Sequence, residues 1–299
     1  MTSVTRKQRT HHSIQSGAGP LFLLPSVVIL CVFVLYPIAE SMWMSLHDWS
    51  MFQAAHPFVG LANYAELLDD TRFWNALTNT IVFTLVTVPL QVIIGLLLAI
   101  ALSRARWWAV FLRSVYFFPA ISSFATMAIV WRFLLSADVG PTASWLREVG
   151  FTPLDALHSP TLALPAVILV GLWKNIGFTM VILVAALQDV PESLNEAAVL
   201  DGATPWQRLI HVTIPSIRHA LLFTSVIAVI ASLQVFDQVY VMTRGGPLFR
   251  TETLVTYMYQ QGFSEYRSGY AAAIAWLLFL LIMLVSVVQL RLFRYRDVH

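Results

Sequence analysis

Charge is scarce in this chain of 299 residues: Asp, Glu, Lys and Arg together make up 11%, against roughly 25% in an ordinary soluble domain. Eighteen Lys and Arg against 16 Asp and Glu leave a net charge of +2, too small and too dispersed a surplus to draw a nucleic-acid backbone by counterion release. A nucleic-acid binder is excluded. Cysteine is rarer still: Cys31 stands alone inside an apolar run, so neither a disulfide framework nor a CxxC redox or zinc site can form within the chain. The phosphate-cradling pattern G-x-x-x-x-G-K-[ST] and the HExxH zinc pattern are both missing. The eight histidines are dispersed, and no nucleophile–base pair stands out. No catalytic residue, no metal site and no cofactor held by this chain are expected.

What the chain has in excess is apolar surface, with 58% hydrophobic residues. A helix needs about 20 mostly apolar residues to cross a bilayer core, and six segments approach that length: 21–39, 81–102, 115–131, 162–187, 220–236 and 270–290. The third is interrupted by Pro119 and Ser122-Ser123 and can also be read as re-entrant. The expected fold is all-α, a polytopic membrane protein with six transmembrane helices. Lys and Arg collect at the N-terminus (Arg6, Lys7, Arg9), in the loops holding Arg104, Arg106, Arg113, Arg208 and Arg218, and at the C-terminus (Arg291, Arg294, Arg296). Positive residues are retained on the cytoplasmic side, so both termini are placed there. The organisation expected is a cytoplasmic tail (1–20), a six-helix membrane domain (21–290) and a second cytoplasmic tail (291–299).

One cytoplasmic loop, 188–219, is too long to be a mere connection and is written as two short helices. Pro191 and Glu192 suit a helix start, and the run to Leu200 has no breaker. Asp201-Gly202 supplies a stop, with the glycine free to adopt a left-handed conformation. Thr204-Pro205-Trp206-Gln207 reads as a capping box that starts a second helix, and Pro215 is expected to break the approach to the fifth span. Physically this could be an ordinary surface hairpin.

The residue pattern adds more. Glu196-Ala197-Ala198, three residues, Gly202, nine residues and Val212-Thr213-Ile214-Pro215 resemble the EAA motif of permease subunits of binding-protein-dependent ABC importers. Residues Gly171–Met180, Gln188–Gln207 and Phe236–Pro247 are similar to the maltose-type and glycerol-3-phosphate-type permeases of the carbohydrate-uptake branch. The short tail after the last span resembles the maltose-F or glycerophosphate-A side of the permease pair. The resemblance implies a heterodimeric importer in the cytoplasmic membrane of a prokaryote. Its partners would be a second permease, two copies of an ATPase that carries the ATP and Mg, and an extracytoplasmic substrate-binding protein. It further implies that Glu196, Ala197, Ala198, Asp201, Gly202 and Pro215 belong to the loop that couples to the ATPase.

Ionisable groups inside a span are costly and face protein or water. Lys174, with Trp173, Asn175 and Phe178 nearby, lies in the fourth span, and Asp237 ends the fifth. On a continuous helix Gln234, Asp237 and Gln238 would share one side, close to Tyr240. These eight residues are the expected path for a sugar, glycerol 3-phosphate or a glycerophosphodiester. Structural pairing of Lys174 and capping by Asp237 remain equally open. An ion-coupled secondary transporter using Lys174 and Asp237 is the alternative function, and such proteins often carry an inverted repeat that is not apparent here. Tyr257, Tyr259, Gln260, Gln261, Tyr266 and Tyr270 form an amide- and aromatic-rich outer segment, suited either to docking an external protein or to interfacial anchoring.

Overall fold

A computed structural model describes residues 15–104 and 106–295; for 15–22 and 293–295 only the backbone is described. The basic N-terminal residues, His11-His12 and Arg296 lie outside the described residues. The chain is helical, and its described residues hold no strand beyond an isolated bridge between His47 and Phe58.

Helix α1 covers residues 15–45 with a π turn at Cys31–Leu35, and α2 (Ala62–Asp69) lies in the loop that follows. Helices α3 (Thr71–Leu102), α4 (Trp107–Ile121), α5 (Phe124–Leu134), α6 (Pro141–Glu148) and α7 (Ala163–Gln188) come next. The long loop holds α8 (Glu192–Leu200) and α9 (Pro205–Ser216), followed by α10 (Arg218–Leu233) and α11 (Asp237–Met242). The chain closes with α12 (Leu254–Tyr259, continued by a π turn at Gln260–Ser264) and α13 (Ser268–Tyr295).

Four straight helices are long and apolar enough to span a membrane: residues Leu23–Ser45, α3, α7 and Ser268–Leu292. Two of the six expected spans are bent. The third is two helices, α4 and α5, meeting at 99°. Ser122 (ψ 151°) and Ser123 (ψ 133°) are extended, and Pro119 has no N–H to give to the preceding turn, so the helix cannot run through. The expected span 115–131 is therefore replaced by 107–121 and 124–134. The fifth also differs: α9 and α10 meet at 72°, and α10 ends at Leu233 rather than at Phe236.

Helix α7 is the centre of the packing. Of its most apolar window 61% is buried, whereas none of the corresponding window of the first span is, which leaves α1 at the periphery. Without a hydrophobic force between helices in lipid, close contact depends on small residues and on polar pairs. Both occur between α3 and α7, where Gly95 lies against Thr179 so tightly that a Cβ would come within 2.7 Å of its methyl, and Gln91 Nε2 donates to Thr179 Oγ1 at 2.9 Å. Against α4 the same helix presents Gly177, where a Cβ would stand 1.9 Å from the Tyr116 carbonyl oxygen.

The segment after α1 is folded on itself. Trp49 stacks on His56 with centroids 3.9 Å apart, and Asn63 Nδ2 donates to the carbonyls of Ser45 (2.8 Å) and His47 (3.0 Å).

Candidate functional site

The EAA loop is built locally. Helix α8 starts at Glu192, so Pro191 takes the N-cap position instead of the first helical one. Its end is a Schellman motif: Gly202, at φ +77°, donates to Val199 O at 3.0 Å and Ala203 N donates to Ala198 O at 2.9 Å. The capping box is complete, with Thr204 N donating to Gln207 Oε1 at 2.8 Å and Gln207 N to Thr204 Oγ1 at 3.4 Å. Pro215 lies inside α9, preceded by a π turn at Leu209–Thr213, a usual accommodation of a missing donor. The actual break falls two residues later, at Ile217. Ile217 is buried among Ala99, Leu102, Leu183 and Val184, which fixes the foot of the loop to the ends of α3 and α7.

Nothing in α8 is buried. Glu196 is exposed and has no ion pair or hydrogen bond among the described residues. Around it Leu194, Val199, Leu200 and Trp206 are exposed apolar side chains, Leu200 at 88%. A capped, stiff hairpin presenting a free carboxylate within an apolar surface is what a docking element requires.

The polar residues expected along the solute path fall into two groups. Asn175, Gln234, Asp237 and Gln238 line a single cavity of about 250 Å³, joined by Ser232 from α10. Its apolar lining includes the rings of Phe83, Phe124 and Phe236. The mechanism of this convergence differs from the helical spacing expected: residues 234–236 are not helical and Asp237 begins α11, so the break turns the polar groups toward α7. Gln238 is 2% exposed, its Oε1 has no partner among the described residues, and the amide sits where a Cβ on Gly171 would approach it to 3.0 Å. Gly171 thus makes room for that amide. A carboxylate, three amides and a hydroxyl opposite aromatic rings can hold a hydroxyl-rich solute. Phe236 extends the aromatic wall outward, stacking on Tyr240 at 5.2 Å, which meets Tyr259 at 5.1 Å and, through it, Phe263.

Lys174 belongs to the other group. It is 6% exposed, and its Nζ donates to the carbonyls of Pro119 (3.0 Å), Ala120 (3.2 Å) and Ser122 (2.8 Å), with the Phe124 ring 4.8 Å away. It takes up carbonyls freed where α4 stops. Trp173 packs edge-on against Trp131 at 5.3 Å and, like Phe178, is partly exposed. Lys174, Trp173, Phe178 and Tyr240 are absent from the cavity lining, so of the eight residues expected it holds Asn175, Gln234, Asp237 and Gln238.

A polar network at the opposite end of α3 from the EAA loop was not foreseen. Arg72 forms a two-pronged pair with Glu252, itself 1% exposed, through Nε–Oε2 at 2.8 Å and Nη2–Oε1 at 2.7 Å. Asp70 caps α3 by accepting from Arg72 N at 2.8 Å and accepts the hydroxyls of Tyr257 and Tyr270. Burial works to raise the Asp70 carboxyl, but these hydroxyls and the N–H groups of Phe73 and Arg72 outweigh it and hold the group below the usual carboxylate range. Burial, reinforced by Asp70, pushes the Tyr257 hydroxyl up. Tyr257 and Tyr270 are 3% and 2% exposed, so their role is this internal bond and not interfacial anchoring or docking. Asn79 Nδ2 donates to Phe249 O and Glu252 O, both at 2.9 Å, which clamps the turn around Gly245-Gly246-Pro247 onto α3. The partners lie 170 or more residues apart in sequence, so no local pattern could reveal them; an acidic residue beside the apolar start of α12 was the available signal.

The profile of the family described as "Binding-protein-dependent transport system inner membrane component" matches residues 65–296. The lactose transport system permease protein LacF of Rhizobium radiobacter is 34% identical over 93% of this chain and 95% of its own length. The sulfoquinovosyl glycerol transport system permease protein SmoG of Agrobacterium fabrum (strain C58) is 33% identical over 93% of this chain and 90% of its own. A chain of a bacterial ABC transporter involved in import of the polysaccharide alginate superposes with a TM-score of 0.81 at 21% identity, covering 92% of this chain and 94% of that one. That likeness establishes the fold, which is the importer-permease fold.

Proposed function

This chain belongs to the family of binding-protein-dependent transport system inner membrane components, and we propose that it is a permease subunit moving a neutral or glycerol-linked sugar through the cavity between α7, α10 and α11. It is a multi-pass membrane protein and a transport subunit, not an enzyme. The observation that carries the solute reading is the convergence of Asn175, Ser232, Gln234, Asp237 and Gln238 on one cavity faced by three phenylalanine rings. Amides and a carboxylate bond sugar hydroxyls, while rings cover the apolar faces of the pyranose. Among the described residues the lining holds no cation, which favours a sugar or a sugar glycoside over glycerol 3-phosphate or a glycerophosphodiester. Relatives named for lactose and sulfoquinovosyl glycerol transport agree with that choice.

The loop of α8 and α9 is the ATPase-coupling element in this reading. Glu196 offers its carboxylate to a basic or N–H group of the ATPase, Ala197 and Ala198 allow close approach, and the Gly202 turn and Pro215 keep the hairpin stiff. Motion delivered to α8 passes to Ile217 and so to the ends of α3 and α7. ATP and Mg reside on two copies of the partner ATPase. A second permease and an extracytoplasmic binding protein complete the assembly, with both termini and the coupling loop in the cytoplasm. An ion-coupled transporter that relays charge through Lys174 and Asp237 finds no support, since three backbone carbonyls hold the lysine.

The test is ATPase activity of the assembled complex in lipid, with its binding protein, against disaccharides, sugar glycosides of glycerol, glycerol 3-phosphate and glycerophosphodiesters. Stimulation by a sugar or a sugar glycoside is expected. Stimulation by the phosphate esters alone overturns the solute class, and solute movement by the isolated chain down an ion gradient overturns the importer reading.

A further inference from the structure

A second, larger cavity of about 580 Å³ lies behind the coupling hairpin, within the roughly 300–1,000 Å³ of small-molecule sites. Its lining mixes apolar and polar side chains, with Val190, Pro205 and Leu209 apolar on the loop side and Ser103 polar at the end of α3. Ile100 and Leu187 contribute apolar surface from the last turns of α3 and α7, helices whose ends meet where Gln188 Nε2 donates to Ser103 O at 3.2 Å. Asn195, Thr213, Trp206 and Arg208 line it from the loop. No carboxylate lines it, and the charge of Arg208 is unanswered: that side chain has no hydrogen bond or ion pair among the described residues, and its Nε is buried without a partner. A buried guanidinium N–H with no acceptor is costly to the protein alone, so a site that retains one calls for an anion.

We propose that this cavity holds the headgroup of an anionic phospholipid, its phosphate on Arg208 and its first methylenes along Ile100 and Leu187. The chemistry is that of a phosphate monoanion joined to an apolar chain. Two observations favour a lipid over a free phosphate ester. The cavity opens where two membrane-spanning helices end, the level at which headgroups lie, and Ile100 and Leu187 give it an apolar wall that acyl methylenes cover and a free phosphate ester does not. Anionic lipid there would brace the hairpin against α3 and α7, on the path proposed for coupling. The assignment rests on the coupling reading only for which leaflet supplies the lipid.

Native mass spectrometry of the whole complex, released from nanodiscs of equimolar phosphatidylglycerol and phosphatidylcholine, tests this. Wild type is expected to retain phosphatidylglycerol in preference to phosphatidylcholine. Arg208→Gln, and separately Asn195→Asp, which adds a carboxylate to the same lining, should each weaken that retention about fivefold, while Arg208→Lys keeps most of it. Subunit composition is read in the same spectra, so lost lipid is separated from lost assembly. Equal retention of both lipids, unchanged retention in both weakened variants, or occupancy satisfied by inorganic phosphate with no lipid preference overturns the proposal. The lipid count needs no transport, so its failure and a failure of coupling are separate results.

Discussion

Lys174 Nζ donates to the carbonyl of Ser122 at 2.8 Å, so a buried cation of the most enclosed helix rests on the break in its neighbour. A helix that stops leaves carbonyls without partners, and within lipid no water replaces them. The ammonium does so, and the 99° turn between α4 and α5 is held by it. Lys174→Met is expected to lower the stability of the solubilised complex by about 2–5 kcal/mol, since it removes a charged donor from one buried and two part-buried acceptors. The denaturation midpoint checks this, with Lys174→Arg as the variant that restores part of the loss; an unchanged midpoint would show that the break stands without its lysine.

Two glycines should fail in different ways. Gly177→Ala places a Cβ against the Tyr116 carbonyl, and neither backbone can yield, so the folded yield of the complex should fall sharply. Gly202→Ala meets nothing within 4 Å and carries only the cost of a left-handed backbone at φ +77°, about 1–2 kcal/mol. Folded yield and thermal midpoint of the two variants, compared side by side, decide the matter.

Glu196→Lys is expected to abolish coupled uptake while leaving insertion in the membrane intact, because the residue is exposed and holds nothing among the described residues. Uptake by cells and co-purification of the ATPase are the two readouts. Normal uptake would remove the coupling role from this loop.

Gln238→Leu keeps the volume of the amide beside Gly171 and removes its unpartnered acceptor. Uptake should then require about tenfold more solute for half-saturation, the loss of one or two hydrogen bonds, with the maximal ATPase rate little changed. Asp237→Asn should act in the same direction. A loss confined to maximal rate would place these groups in the conformational cycle instead of the solute site.

The Asp70 network carries a pH dependence of defined sign. Its carboxyl titrates lower in the folded protein than the ordinary 3.8, so its contribution is fully present above that value and is lost as pH falls through the lower folded one. Acid should loosen the attachment of α12 and α13 to the start of α3, and Asp70→Asn should remove that part of the acid sensitivity. The opposite sign holds for Tyr257, whose raised hydroxyl contributes below its ordinary value of 10.0 and is lost at more alkaline pH. Hydrogen exchange of residues 254–264 across an acid series reads the first effect.

The coupling hairpin was legible almost residue by residue, because caps and turns are decided within a few positions: Thr204 with Gln207, Gly202 with the carbonyl of Val199, and Ala203 with that of Ala198. The membrane-spanning segments were legible from apolar length, but straightness was not. Hydropathy is blind to whether Ser122 and Ser123 extend or continue a helix, and to where α10 stops short of an apolar Val235 and Phe236. Helical spacing on a continuous fifth span gave the right neighbours for the wrong reason: Gln234, Asp237 and Gln238 meet because the helix is broken there.

By itself the sequence determined the solvent of this protein, its polytopic all-α character, the built hairpin and the family, since each depends on composition or on contacts a few residues long. Tertiary structure alone decided which polar residues share a cavity, that Lys174 serves a helix break, and that Arg72 finds Glu252 across 180 residues. In lipid those choices follow from the need to satisfy every buried polar group inside the protein, and the partner that satisfies it is set by packing between helices, which no local pattern encodes.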